Sequence, residues 1–451
     1  MLQTAMLLLA EPPLPKIGAR YYSINQVLSP YVYVFYAAYI VSFLLTPVMR
    51  SIATYYGIID QPDHKRKIHT VPVAYLGGVA VFLGWLAGLA ITQFVGVHRL
   101  EIDLPRHLVV SFSIVVGACI IVAVGLLDDL VGLKPGVKIA GQAAAAVALL
   151  ASGVGTQAAS VFIMPAISRA HVVFPGIDPI DATHGLVQVT SWIFVIFLVV
   201  ACCNATNLMD GLDGLCSGVT AVITFGFLAL AIHLAMRSGA MNPNEDGLRV
   251  VLGLALLGAV LGFIPYNFNP ASIFMGDTGS MFLGFVCALM MILFAQADPK
   301  WFLAAIIIFA LPVLDTTLAF VRRFVNRRPL FSADRHHLHH QLVARGFTVK
   351  QTVVISYALA IGFALLGTAI VFVRTRYAVA LYLVVFGSII VAAYKMGMVH
   401  ERARVVTPQP ISGNQAEMTG QIEPSTVVEV RRPPERQTLV AAASTEWNNP
   451  S

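Results

Sequence analysis

Residues 107–129 read HLVVSFSIVVGACIIVAVGLLDD, an apolar block that ends in two adjacent aspartates. A helix needs about 20 mostly apolar residues to cross the hydrocarbon core of a bilayer, and this block has that length. Two carboxylates at the end of such a helix are costly near lipid unless a partner compensates their charge. The block therefore predicts a membrane-spanning helix that carries a functional acidic pair at one end.

The apolar pattern repeats along the whole chain of 451 residues. The chain is 57% hydrophobic and 12% charged, whereas a soluble domain carries roughly 25% charged residues. This pattern predicts an all-α polytopic membrane protein, a bundle of about eleven transmembrane helices. The predicted spans cover 31–49, 74–94, 107–127, 138–154, 189–205, 216–236, 248–266, 279–296, 300–322, 351–373 and 376–396. The fourth, fifth and eighth are short and rich in Gly or Ala, so we expect them to pack inside the bundle.

The basic residues give an orientation. Loop 323–350 contains Arg323, Arg327, Arg328, Arg335, Arg345 and Lys350, and the first connecting loop contains Lys65, Arg66 and Lys67. Both loops fall on one side in a count of eleven spans, and the positive-inside rule makes that side cytoplasmic. We therefore expect an N-terminal extracytoplasmic segment (1–30), a transmembrane domain (31–396) and a disordered cytoplasmic tail (397–451). The tail is rich in Pro, Glu, Arg, Gln, Ser and Thr.

Charge and cysteine content exclude other classes. The net charge of +6 comes from loops between apolar blocks, which is typical of a membrane surface and not of a nucleic-acid-binding protein. The five cysteines show no CxxC spacing, so the sequence indicates neither a disulfide framework nor a zinc site.

Four polar motifs lie at predicted cytoplasmic helix ends. They are Gly125-Leu-Leu-Asp128-Asp129, Asn204-Ala-Thr-Asn207-Leu-Met-Asp210-Gly-Leu-Asp213-Gly214, Asn267 through Phe274-Met-Gly276-Asp277, and Asp334-Arg335-His336-His337-Leu338-His339-His340. Alone, the acidic pair could be a helix cap or a proton relay, the second motif a polar turn, and the histidines a metal site. Together on one face they favour a site for Mg²⁺ and phosphate groups, with the nearby arginines suited to phosphate.

One further acidic residue, Asp315, lies inside the ninth predicted span. It can pair with a motif residue or hydrogen-bond within the helix bundle. We expect the second.

The motifs together resemble the polyprenyl-phosphate N-acetylhexosamine-1-phosphate transferase family, glycosyltransferase family 4. Lys67-Ile-His69-Thr70 and Gly77-Gly78 in the first cytoplasmic loop add to the resemblance, which covers nearly all of residues 31–396. It implies a transferase that moves a sugar 1-phosphate from a UDP-sugar onto a polyprenyl phosphate and releases UMP. It also implies Mg²⁺, with Mn²⁺ as a substitute, a bacterial inner-membrane location with a cytoplasmic active site, and a homodimer.

The resemblance also implies roles for single residues. Asp277 is the leading metal ligand, and Asp128 and Asp129 are further ligands that handle the lipid phosphate, with all three catalytic. The substrate-binding residues implied are Lys67, His69, Asn207, Asp210, Asp213, Asn267, Phe274, Arg335, His336, His337, His339 and His340.

The His-rich loop is similar to that of the undecaprenyl-phosphate N-acetylglucosamine-1-phosphate transferase branch. We therefore expect transfer from UDP-GlcNAc to undecaprenyl phosphate, as the first membrane step of cell-envelope polysaccharide synthesis. The alternatives are a phospho-MurNAc-pentapeptide transferase of peptidoglycan synthesis and, from another class, a polytopic secondary transporter.

Overall fold

The computed structural model describes residues 22–60, 72–94, 110–160, 162–163, 179–238, 243–327 and 337–395. All of them belong to the first of two units, Met1–Glu401. The second unit, Arg402–Ser451, and the predicted tail 397–451 lie outside the described residues. The domain boundaries given above therefore stay predictions.

The described part is almost wholly helical. The helices are α1 (Ile24–Leu28), α2 (Val32–Tyr55), α3 (Gly77–Phe94), α4 (Phe112–Val131), α5 (Pro135–Ala151), α6 (Pro179–Met209), α7 (Leu215–Ser238), α8 (Pro243–Asn267), α9 (Gly276–Ala297), α10 (Pro299–Ile308), α11 (Ala310–Val325), α12 (Leu338–Ala344), α13 (Val349–Ile370) and α14 (Thr375–Lys395). Two short strands, β1 (Ile59–Asp60) and β2 (Val73–Ala74), pair antiparallel between α2 and α3. The all-α membrane class is thereby confirmed.

A helix lies at each of the eleven predicted positions, but not all cross a membrane by length. Among the described residues, eight helical segments are long and apolar enough to span, and a ninth arises if α10 and α11 count together. Helix α5 has only 17 residues, and the apolar part of α14 is also short. The count of eleven crossings therefore stays a prediction.

The ninth predicted span is not one straight helix. Helices α10 and α11 meet at Phe309 with a bend of 73°. Pro312 lies in the first turn of α11 and has no N–H to donate to the carbonyl of Ile308, so a continuous helix would lack that hydrogen bond. The proline was visible in the sequence, and its missing N–H favours a break at this position.

Helix α9 is the centre of the bundle. Its most apolar 18-residue window is 100% buried, whereas the corresponding window of α6 is 39% buried. The expectation that short, small-residue spans pack inside is therefore confirmed for the eighth span. It is wrong for the fifth, because α6 extends well beyond the predicted 189–205 and faces outward over much of its length.

Neighbouring helices reach α9 through glycines. A Cβ on Gly78 of α3 would lie 2.2 Å from the backbone nitrogen of Gly279, and a Cβ on Gly125 of α4 would lie 2.5 Å from the Cα of Thr278. A Cβ on Gly284 of α9 would lie 2.5 Å from the carbonyl oxygen of Cys202 in α6. These contacts are backbone against backbone, so they can form only where a side chain is missing. They bring three of the motif-bearing helices to one end of α9.

The Gly78 contact yields the first prediction. Replacing Gly78 with Ala should destabilise the fold by about 1–3 kcal/mol, because the backbone of Gly279 cannot move aside for the added methyl group. Thermal unfolding in detergent would measure the change. Gly362→Ala in α13 is the matched control, since nothing lies within 4 Å of its added Cβ. That control should be neutral or stabilising, by up to about 1 kcal/mol. Equal stability of the two variants would contradict the packing argument.

Candidate active site

Asp129 joins α4 to the start of α9. Its Oδ1 accepts a hydrogen bond from the backbone N–H of Asp277 at 2.8 Å. Its Oδ2 accepts from the backbone N–H and the hydroxyl of Thr278, at 3.0 and 2.6 Å. The first N–H groups of a helix have no partner within the helix, and a carboxylate there also interacts favourably with the helix dipole. Asp129 therefore caps the central helix from a neighbouring helix and uses both oxygens to do so.

Asp128, the other member of the acidic pair, faces Lys138 instead. The Lys138 ammonium forms ion pairs with Asp128 and, at 2.7 Å, with Oδ2 of Asp277. The backbone N–H of Leu133 donates to Asp128 Oδ1 at 2.7 Å. Lys138 lies in the first turn of α5, the helix that follows the acidic pair, so the turn between α4 and α5 brings its positive charge back between two carboxylates. These contacts bring residues from α4, α5 and α9 together at one point.

Asn207 fixes the other oxygen of Asp277. Its side-chain amide donates to Asp277 Oδ1 at 2.8 Å and to Ser280 Oγ at 3.0 Å. The preceding residue, Thr206, donates its hydroxyl to the Ser280 carbonyl at 2.8 Å. The end of α6 is thus tied to the first turn of α9, and Asp277 is held between Asn207 and Lys138.

The turn after α6 is held by residues far away in the chain. Asp213 Oδ2 accepts from the Asn269 side chain and from the backbone N–H of Ala271, both at 3.0 Å. Tyr357 of α13 donates its hydroxyl to the Gly214 carbonyl at 2.5 Å. Asp213 therefore binds this turn to the loop that precedes α9. Asp210 and Asp213, the two carboxylates of this turn, both line the adjacent cavity.

The loop before α9 is pinned to the hairpin between α2 and α3. Asn267 is buried, accepts from Ser217 and donates to the Ile273 carbonyl at 3.1 Å. Ile273 makes a parallel bridge with Ala74 of β2, and the N–H of Phe274 donates to the Ala74 carbonyl at 2.8 Å. The hairpin thus continues into the loop that carries Phe274 and Asp277.

The structure corrects the expectation for Asp315. Its carboxylate lies 3.0 Å from His337 Nδ1 and accepts from the backbone N–H of Leu338 at 2.7 Å. It therefore pairs with a motif residue and caps the short helix α12, so the preference for a contact within the bundle was wrong. Asp315 can pair with His337 only because the chain after α11 comes back to that helix. The predicted spans gave no information on this return.

The described histidines of the His-rich motif, His337, His339 and His340, lie in different surroundings. His339 is buried, and Gly211 makes room for it, because a Cβ on Gly211 would lie 2.4 Å from His339 Nε2. Its ring stacks against His337, while His340 lines the cavity beside Asp210. Burial, reinforced by neighbouring His340, lowers the pKa of His339 to about 3. His339 is therefore a neutral packing partner of the second motif, and His340 is the histidine exposed to a ligand.

Two cavities meet at Asp277. The first, of about 260 Å³, is lined by Asp60, Tyr75, Asp210, Gly211, Leu212, Asp213, Asn267, Asn269, Phe274, Gly276, Asp277, His340 and Val349. The second, of about 530 Å³, is lined by Gly57, Ile58, Ile59, Asp60, Tyr75, Asp128, Asp129, Leu130 and Asp277. We call them the first and second cavities. Three residues line both: Asp60, Tyr75 and Asp277.

The carboxylates at this junction favour a cation. Burial, followed by the negative charges of Asp277, Asp129 and Asp213, raises the pKa of Asp210 to about 8. A bound cation would relieve that cost. Among the described residues, no group of three or more His, Cys, Asp or Glu is arranged to hold a metal by itself. Mg²⁺ commonly takes only one or two carboxylates and completes its shell with water and substrate phosphates, so Asp277 and Asp128 fit that donor set.

Some predicted site residues cannot be placed in the structure, and some residues of the site were not predicted. Lys67, His69, Arg335 and His336 lie outside the described residues. Sequence reasoning missed Lys138, Asp60, Tyr75 and Tyr357, which contact the motifs or line the cavities. Lys138 carried a signal, since a lysine at the start of an apolar helix, shortly after two aspartates, is a natural counter-charge. The other three are brought in by tertiary contacts alone.

The chain is similar to known glycosyl transferases. Glycosyl transferase family 4 matches residues 111–295. A Bacillus subtilis protein named probable undecaprenyl-phosphate N-acetylglucosaminyl 1-phosphate transferase is 32% identical, covering 82% of this chain and 94% of the relative. Decaprenyl-phosphate N-acetylglucosaminephosphotransferase of Mycobacterium tuberculosis is 33% identical over 79% of this chain and 85% of the relative. Phospho-N-acetylmuramoyl-pentapeptide-transferase of Bacillus thuringiensis is 28% identical over 72% of this chain and 91% of the relative.

The capping role of Asp129 predicts a stability effect. Asp129→Ala leaves the backbone N–H groups of Asp277 and Thr278 without their acceptor. Asp298→Ala is the control, since it removes one exposed cap bond, to Lys300 N, and should cost about 1 kcal/mol. We expect Asp129→Ala to cost at least twice as much, because the lost bonds are partly buried and charge-assisted. Unfolding in detergent would compare the two, and an equal loss would refute the capping role.

Buried His339 predicts acid sensitivity. Its folded pKa lies below the value of about 6.5 for the unfolded chain, so the unfolded state gains a proton first as the pH falls. Above about pH 7.5 this histidine does not lower the free energy of unfolding. At pH 5.5 it makes the free energy of unfolding lower by about 1.4 kcal/mol. His339→Gln should lose less stability between these pH values than the wild type, while His184→Gln, at an exposed position, should match the wild type. Parallel pH curves for His339→Gln and wild type would contradict the prediction.

Proposed function

Since this chain belongs to glycosyl transferase family 4, we propose that it transfers N-acetylglucosamine 1-phosphate from UDP-N-acetylglucosamine to undecaprenyl phosphate and releases UMP. The observation that carries the proposal is the junction at Asp277, whose carboxylate lines both cavities. A reaction between a soluble nucleotide and a membrane lipid needs two such compartments that meet at the reacting atoms.

The relatives support N-acetylglucosamine as the sugar. Two proteins named for N-acetylglucosamine phosphate transfer are 32% and 33% identical to this chain over more than three quarters of its length. The relative named for phospho-N-acetylmuramoyl-pentapeptide transfer is 28% identical. The His-rich loop of this chain favours the same choice. The product would be the lipid-linked first sugar of a cell-envelope polysaccharide.

We assign the nucleotide to the first cavity. Phe274 offers an aromatic face for the uracil ring, and Asn267 and Asp213 hold the loop that carries it. Glycines at 211 and 276 let backbone amides come near the pyrophosphate. His340 adds a hydrogen-bond donor at the same wall. Lys67, His69, Arg335 and His336 complete the predicted substrate contacts from loops outside the described residues.

We assign the phosphate of the lipid to the second cavity, beside Asp128. An oxygen of that phosphate forms a bond to the sugar-linked phosphorus of the donor. The bond from this phosphorus to the bridging oxygen breaks, and that oxygen leaves with UMP. Lys138 supplies positive charge beside Asp128 and Asp277, where two anions must approach. Because Asp128 is paired with Lys138, it suits an orienting role, and Asp129 positions Asp277 through the helix cap.

Asp128 and Asp277 would hold Mg²⁺, with Mn²⁺ as a substitute, and Asp129 positions Asp277 by accepting a hydrogen bond from its backbone N–H. When bound, the metal would neutralise phosphate charge as the transfer proceeds. The ion pairs of both carboxylates with Lys138 support this assignment, because they reflect negative charge that favours a cation at this point.

The surroundings follow from the same proposal. The enzyme lies in the inner membrane of a bacterium with both cavities on the cytoplasmic side, its N-terminus outside and its C-terminus inside. UDP-sugars are soluble cytoplasmic metabolites, whereas the lipid acceptor stays in the bilayer, so a site at a helix end serves both. We expect a homodimer and no nucleic-acid partner.

The proposal predicts a Mg²⁺-dependent exchange reaction. Membranes containing the protein should exchange labelled UMP into UDP-N-acetylglucosamine when undecaprenyl phosphate and Mg²⁺ are present. Asp128→Asn should lower the rate by about 10²-fold or more, because the lipid phosphate loses its orienting partner while the fold is kept. The control Asp298→Ala, at an exposed cap, should keep the wild-type rate.

Other outcomes would decide against the proposal. Exchange only with UDP-N-acetylmuramoyl-pentapeptide would replace the sugar. No exchange with any UDP-sugar, together with substrate movement across sealed vesicles, would replace the enzyme with a transporter. Substantial turnover by Asp128→Asn would remove the role assigned to that residue.

A further inference from the structure

Asp60 and Tyr75 have no role in the reaction as described so far, yet both line the first and the second cavity. Asp277 is the third residue that the cavities share, and it lies at the reacting phosphorus in the proposed function. Asp60 and Tyr75 therefore line the space immediately around the reacting atoms.

The backbone holds Tyr75 at this place. Its N–H donates to the Ile58 carbonyl at 3.1 Å, and Ala74 before it pairs with Ile59 across the hairpin. Leu76 after it has a φ of 89°, a left-handed conformation that costs free energy for a residue with a branched side chain. The next residue, Gly77, donates its N–H to the Phe274 carbonyl at 3.0 Å. Hydrogen bonds on both sides thus force a strained turn that directs Tyr75 to the cavity junction.

The two side chains form a polar pair. The Tyr75 hydroxyl hydrogen-bonds to Asp60, and its ring meets the Phe274 ring edge to face at 6.0 Å between centroids. Burial, followed by the negative charges of Asp60 and Asp129, raises the pKa of Tyr75. The phenol is therefore neutral and gives its one proton to the Asp60 carboxylate, so the pair presents the remaining acceptor lone pairs of both groups to a ligand.

The sugar must lie beside this pair. In the proposed function the uridine occupies the first cavity and the lipid phosphate approaches from the second. The hexosamine is bonded to the phosphorus between them, so its hydroxyl and N-acetyl groups reach the walls that the two cavities have in common. We propose that Asp60 and Tyr75 recognise the hexosamine of the sugar nucleotide and determine which sugar is transferred.

The chemistry of the pair suits this task, and the inference rests on the proposed function. A carboxylate accepts from sugar hydroxyls, and the oxygen of a phenol that donates its proton to that carboxylate accepts from a sugar hydroxyl or from the N-acetyl N–H. A site that hydrogen-bonds a substrate hydroxyl discriminates strongly against a sugar that cannot make the bond, because its own polar groups are then left unpaired. The pair is thus a specificity determinant, whereas Asp277 and Lys138 contact groups common to every donor.

The test compares two donors that differ at one carbon, UDP-N-acetylglucosamine and UDP-N-acetylgalactosamine. For wild type, Asp60→Asn and Tyr75→Phe, kcat/KM is measured with each donor in detergent with undecaprenyl phosphate and Mg²⁺. We expect each substitution to reduce the ratio of kcat/KM for UDP-N-acetylglucosamine to kcat/KM for UDP-N-acetylgalactosamine by about 10-fold or more. The dissociation constant of UMP, which lacks the sugar, should stay within about twofold of wild type. Tyr55→Phe, at a tyrosine that is 84% exposed, is the matched control and should leave every quantity unchanged.

The outcomes separate this inference from the function on which it rests. If wild type transfers from neither donor, the proposed function fails. If wild type is active and both variants keep its donor ratio, the sugar-recognition role is overturned. It is also overturned if UMP affinity and transfer from both donors fall together, because the pair would then serve the nucleotide or the fold. Tyr75→Phe keeps the aromatic ring and its contact with Phe274, so it carries the test even if Asp60→Asn does not fold.

Discussion

The cap that Asp129 places on α9 is the interaction on which the rest of the site depends. A carboxylate on one membrane helix accepts every hydrogen bond that the first turn of another helix offers it, from Asp277 N, Thr278 N and Thr278 Oγ1. These hydrogen bonds fix the position of α4 along the axis of α9, and the close contact at Gly125 fixes the distance between the two helices. Asp128 and Asp277 then face each other across Lys138 as a geometric consequence. The two aspartates of the pair thus make different contacts, since Asp129 caps a helix and Asp128 pairs with Lys138.

The site is anionic although both proposed substrates are anions. Asp60, Asp128, Asp129, Asp210, Asp213 and Asp277 line the two cavities, and His340 is their one basic lining residue among those the structure describes. Such a surface repels phosphate unless cations are supplied to it. Lys138 provides one, and Mg²⁺ would provide another. A requirement for a metal would thus follow from the protein's own charge balance as well as from the chemistry of phosphoryl transfer.

The sequence allowed the prediction of the membrane class, the positions of the helices and most of the acidic residues around the cavities. Apolar length and charge are local properties, and they are readable without a partner. The different contacts of Asp128 and Asp129 could not be predicted, because the sequence does not show which helix each of two adjacent side chains contacts. The same holds for Asp315, whose partner His337 comes from a loop beyond the bend at Phe309. Asp60 ends one two-residue strand and Tyr75 directly follows another, and strands this short give no recognisable pattern in the sequence.

The shared wall of the two cavities has a consequence for inhibition. Their volumes of about 260 and 530 Å³ adjoin at three residues, so a single molecule could carry a nucleoside into one and a phosphonate with an alkyl chain into the other. Linking the two halves makes the second binding event intramolecular, and short linkers give effective concentrations in the millimolar range. Such a bisubstrate ligand would gain affinity from the geometry of the junction alone, without a new contact on either side.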